Sequence, residues 1–146
     1  MSLSSVHPIS GSIAAAAQIT VVYTGLYSVT ILNQVVTKKR LHRKLGDKFD
    51  RYSSLEMRNV DRLTGNFLEW TIVFLGPLWS MALTDTLSDT SQLIAWTYVG
   101  LRLLYTGLSL KYGVNGQGNN KPLWISTFPS YVCLLYMLGA AIQGVF

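Results

Sequence analysis

Arg62, Asn66 and Glu69 stand at i, i+4 and i+7 of the segment 58–80. If that segment is helical, three strong polar groups line one face just as the chain turns apolar. A carboxylate at the mouth of an apolar helix costs a few kcal/mol unless it meets a partner or water, so the position marks a functional site. Farther along, Arg102 interrupts another apolar run, and Tyr98, Arg102, Tyr105 and Ser109 share its face at i−4, i, i+3 and i+7. Antiparallel packing of the two segments could bring Glu69 to Arg102, and the sequence leaves open whether Arg102 meets Glu69, a ligand or a neighbouring subunit. Two readings then stand side by side: an ion pair that holds two helices in register, or a polar cavity for an anionic ligand with Arg102 as anchor and Tyr105 as donor.

The elements that must carry these residues are long and apolar. Of 146 residues 49% are hydrophobic and only 13% charged, with mean hydropathy +0.30. A soluble domain carries about 25% charge, so the composition indicates one integral membrane domain, 1–146. Four spans are expected, at about 13–36, 58–83, 92–112 and 123–146. The first and last contain no charge, and about 24 residues at about 1.5 Å each cross a hydrocarbon core of roughly 30 Å. Pro77 is expected to bend the second span near its exit. The result is an all-α, four-helix membrane bundle.

The net charge of +5 is concentrated: nine of the twelve Lys and Arg residues lie between 38 and 62, none precedes Lys38 and none follows Lys121. A nucleic-acid surface would spread its cations over a folded face, whereas this pattern reads as a headgroup-facing loop that sets topology. With four spans, connectors 37–58 and 111–122 share one side. The N-terminus, the turn at 84–91 and the C-terminus share the other. The positive-inside rule makes the basic side cytosolic. The first twelve residues lack the basic region of a signal or transit peptide. Cys133 sits alone in an apolar run and reads as an inert thiol; His7 and His42 form no metal signature. Trp70, Trp79, Trp96 and Trp124 read as interfacial or packing residues. The Gly113–Gly118 stretch reads as a turn rather than a phosphate loop.

Arg62-x3-Asn66-x2-Glu69, after a basic loop and followed by Gly-Pro, resembles the Arg-Ala-His-x-Asn-x-x-Glu core of the MAPEG family, the membrane-associated proteins of eicosanoid and glutathione metabolism. Gly100-Leu-Arg102-Leu-Leu-Tyr105-Thr-Gly107 is similar to that family's third helix. The resemblance implies a homotrimer of four-helix protomers in the endoplasmic reticulum or another organelle membrane, binding glutathione as co-substrate between subunits on the cytosolic side. By position Arg62, Asn66, Glu69 and Lys38 would hold glutathione, with Arg102 and Tyr105 as the catalytic pair. It further implies a glutathione-dependent transferase or peroxidase acting on lipophilic electrophiles or lipid hydroperoxides.

The sequence departs from the family pattern at several positions. Arg58 and Asn59 replace the usual Glu-Arg, Thr64 stands where histidine is usual, and Ser109 stands where the eicosanoid-forming branch has tyrosine. The stretch 113–120 contains no arginine to activate a thiol; Lys121 is the nearest base. These replacements motivate a second reading, a non-catalytic MAPEG-like subunit or scaffold of a larger membrane complex. A third is an unrelated four-helix transporter or channel subunit with Glu69 and Arg102 in its ion path.

Overall fold

A computed structural model describes residues 10–114 and 121–146. Residues 1–9, with His7, and 115–120, within the expected glycine-rich turn, lie outside the described residues. Four helices follow one another: α1 Gly11–Leu45, α2 Leu55–Leu83, α3 Asp89–Tyr112 and α4 Lys121–Val145, with a 3₁₀ turn Gly46–Lys48 after α1. No strand occurs among the described residues. Serines start three of the helices. Ser10, Ser54 and Ser88 accept from the backbone N–H of Ile13, Met57 and Ser91, which satisfies donors that the helix itself leaves unpaired.

Two expectations change here. The first helix does not end near Val36 but continues through the basic stretch to Leu45, because Lys, Arg and Leu are good helix formers and nothing before Gly46 breaks the run. Gly46, at φ 55°, ends it in a conformation that side chains disfavour. By length and apolarity, α1, α3 and α4 can cross a membrane, whereas α2 is not among them. Its 29 residues extend about 44 Å, but Arg58, Asp61, Arg62, Asn66 and Glu69 crowd its first half. Pro77 is buried inside α2, and the helix continues past it to Leu83.

Chain ends and connectors sort into two sets. At the basic end, Asn59 of α2 accepts from the Val114 N–H just after α3, at 3.1 Å. Gly113 must be glycine there: its φ is 77°, and a Cβ would press on the Asn59 carboxamide at 3.0 Å. At the opposite end, Ser10 donates to Asp85 at 3.2 Å, and Gly144 of α4 lies so close to Thr86 that a Cβ would collide with its hydroxyl. This is the partition of connectors that four alternating helices require.

The core between the helices is aromatic. Tyr23, Phe67, Phe74 and Tyr98 are fully buried, with Phe74 to Tyr98 ring centroids at 4.4 Å and Tyr23 to Phe74 at 4.9 Å. Such offset pairs add to the packing that ring burial provides. The outer faces carry Ile72, Leu135, Ile125 and Phe128, all largely exposed and suited to lipid contact. Phe74→Ala is expected to cost about 3–5 kcal/mol of unfolding free energy in detergent. Ile72→Ala should change it by less than about 0.5 kcal/mol, and comparing their denaturation midpoints checks both values.

Candidate functional site

Arg102 is the one charged side chain buried within the bundle among the described residues, at 5% exposure. Three neighbours make that tolerable. Its Nη1 donates to Asn66 Oδ1 at 2.9 Å, its guanidinium lies 4.3 Å from the Phe67 ring centroid, and it lies 5.1 Å from that of Tyr105. A charge-assisted hydrogen bond and two ring faces offset part of the lost hydration. They do not complete it. Nε and Nη2 are buried and have no hydrogen-bond partner among the described residues, and neither does the Tyr98 hydroxyl one turn away on α3.

These unpaired donors border a cavity of about 250 Å³. Arg62 and Asn66 reach it from α2, Tyr98, Arg102 and Tyr105 from α3, and Trp124, Thr127, Ser130 and Tyr131 from α4. Of the six residues singled out by sequence, four therefore meet at one place: Arg62, Asn66, Arg102 and Tyr105. Glu69 and Lys38 do not line it; Lys38 is exposed on α1.

Of the partners the sequence leaves open for Arg102, Glu69 is not the one it meets. Glu69 pairs instead with Arg62, two turns earlier on its own helix, at 3.3 Å, with both side chains about half exposed. The reason is rotational. Three residues turn a helix by 300°, so Glu69 points about 60° away from Asn66 and farther still from Phe67, the two α2 residues that Arg102 meets. At Arg102 the contact between α2 and α3 is made by a neutral carboxamide and a ring face rather than by an ion pair. Thr64, where histidine is usual, donates to the Thr30 carbonyl at 3.4 Å and links α2 to α1.

Sequence reasoning missed two features. The α4 wall carries no charge, so its hydroxyls and rings give no signal until packing faces them toward Arg102. Trp70 and Trp124, read as interfacial or packing residues, both line the cavity, and Trp70 also packs on Tyr131 at 5.0 Å. The second feature is a clamp at the basic end. Arg51 grips Asp61 through two bonds of 2.8 and 2.9 Å, and Gln34 of α1 donates to the same carboxylate at 2.6 Å. The bond to Asp61 holds the Arg51 guanidinium above its usual pKa. An Arg and an Asp ten residues apart carry no recognisable spacing, which is why the clamp was not foreseen.

A four-helix chain with three helices long and apolar enough to cross a bilayer, and with no strand among the described residues, is an integral membrane protein. The model of the MAPEG family matches residues 13–143, nearly the whole chain, and this protein is a member of that family. No individually curated protein matches it.

Removing the Asn66 cap leaves Arg102 with a third unmet donor, so Asn66→Ala is expected to cost about 1.5–3 kcal/mol in detergent unfolding. Arg62→Ala, which breaks only a half-exposed pair, should cost less than about 1 kcal/mol.

Proposed function

We propose that this protein is a glutathione-dependent membrane transferase or peroxidase acting on lipophilic electrophiles or lipid hydroperoxides. The observation that carries the reading is the pair of unpaired donors, Arg102 Nε and Nη2, buried at the edge of a polar cavity inside an apolar bundle. A guanidinium so placed matches a carboxylate in bidentate fashion and lacks only that partner. Glutathione carries two carboxylates and supplies a thiol that adds to an electrophile or is oxidised by a hydroperoxide. Arg102 would anchor one carboxylate, Asn66 and Tyr105 would orient the ligand, and positive charge near the thiol would favour the thiolate. Glu69 suits the ligand's ammonium group once it is released from Arg62.

The cavity is smaller than the 300–1,000 Å³ usual for enclosed ligands. One protomer therefore encloses only part of a tripeptide. The half-exposed Arg62–Glu69 pair continues the polar surface outward, where lipid contact would be costly, and a neighbouring protomer there would cover it. This supports a ligand site shared with a neighbouring protomer; a homotrimer in an organelle membrane such as the endoplasmic reticulum, with the basic loop cytosolic, is what the family resemblance implies. Lys38, outside the cavity of its own protomer, fits only as a contact made across such a boundary.

A second reading, a non-catalytic MAPEG-like subunit, is favoured by one observation. Among the described residues, Arg62 and Arg102 are the cations that line the cavity, and the sequence has no arginine between Gly113 and Asn120 to activate a thiol. Glutathione conjugation and hydroperoxide reduction by the purified protein decide between them. Activity is expected, and Arg102→Ala should lower kcat/KM at least tenfold, about 1.4 kcal/mol of transition-state stabilisation. Undetectable glutathione binding at millimolar ligand would leave the non-catalytic reading.

A further inference from the structure

A second cavity, of about 350 Å³, opens at the basic end between α1, α2 and α3 and shares no lining residue with the first. Its wall combines Asn33 and Thr37 of α1 with Ser109 and Lys111 of α3, and the Arg40–Glu56 ion pair stands at its rim. Ser109 is 4% exposed, and its hydroxyl has no hydrogen-bond partner among the described residues. The Tyr105 phenol faces it from one turn back without closing a bond of ordinary geometry. Buried hydroxyls are generally paired, so this one marks a place for a ligand oxygen.

Charge identifies the ligand. Arg40 and Glu56 neutralise one another. Lys111 has no carboxylate within ion-pair distance among the described residues, and its ammonium lies 5.2 Å from the Tyr112 ring centroid. The cavity is therefore lined by one cation that has no ion-pair partner among the described residues and by a buried hydroxyl. Its depth is also informative: Thr37 is the last residue of α1 before the run of cations begins, which sets the cavity where an apolar span gives way to headgroups.

We propose that this cavity binds a phosphate ester, with the Lys111 ammonium on the phosphate, the Ser109 hydroxyl donating to an ester or phosphate oxygen, and the Asn33 carboxamide alongside. Lysine serves well as a point charge for phosphate, and a mixed wall with Leu63 and Leu110 accommodates the glycerol carbons that follow. The site differs from the Arg102 cavity in location, charge and ligand, and stands whether or not glutathione binds there.

Calorimetric titration of the full chain in an uncharged detergent tests this. The probes are dihexanoyl-phosphatidylglycerol, glycerol 3-phosphate and the phosphate-free dihexanoylglycerol. Saturable binding of a phosphate-bearing probe is expected, weakened at least tenfold by Lys111→Gln and measurably by Ser109→Ala. Lys111 is exposed, so its replacement leaves packing intact. Binding of the lipid alone assigns a membrane headgroup; equal binding of glycerol 3-phosphate assigns a soluble ester. The proposal is overturned if neither binds saturably, if both variants bind as the parent does, or if dihexanoylglycerol binds equally well.

Discussion

The constraint on which the bundle depends is the burial of one guanidinium in an apolar interior. A charge there is tolerated only where hydrogen bonds and polarisable faces replace lost water. Arg102 has Asn66 from α2 and the rings of Phe67 and Tyr105, so it ties α3 to α2 through residues 36 positions apart. The same burial leaves two donors unmet and keeps a polar cavity open beside them. Stability and ligand reception are thus opposite aspects of one side chain: fuller satisfaction by the protein would leave nothing for a ligand.

The charges of this chain follow two different regimes. Arg62–Glu69 and Arg40–Glu56 are largely open to their surroundings and hold little energy. The Arg51–Asp61–Gln34 clamp is intermediate, tying the connector between α1 and α2 to both helices through three short hydrogen bonds. Among the described residues only Arg102 is a buried charge, and removal of its partner leaves a donor without recourse to water.

Much of this was legible in the sequence, and the boundary between legible and hidden is physical. Helical periodicity put Arg62 and Asn66 on one face of α2 and Arg102 and Tyr105 on one face of α3, because that spacing depends on the local 3.6-residue turn alone. Which partner Arg102 meets depends on the rotation of α2 about its axis, which no local rule sets, and so the sequence left open the choice that falls on Asn66 rather than Glu69. The α4 wall was hidden for another reason: Thr127, Ser130 and Tyr131 are ordinary residues for an apolar helix until they face a charge. The length of α1 was misjudged because a cluster of cations looks like a solvated loop even when its residues favour helix.

That longer helix has a kinetic consequence. The nine residues from Thr37 to Leu45 extend α1 by about 13 Å past its uncharged run and carry five cations on a rigid rod. The Debye length at physiological ionic strength is about 8 Å, so cations at the tip are felt by dissolved anions well before those anions reach the headgroup plane. Such a rod draws small anionic solutes toward the end of the bundle that bears it and orients macromolecular approach. It changes how fast they arrive rather than how tightly they are held, and the effect fades as salt is added.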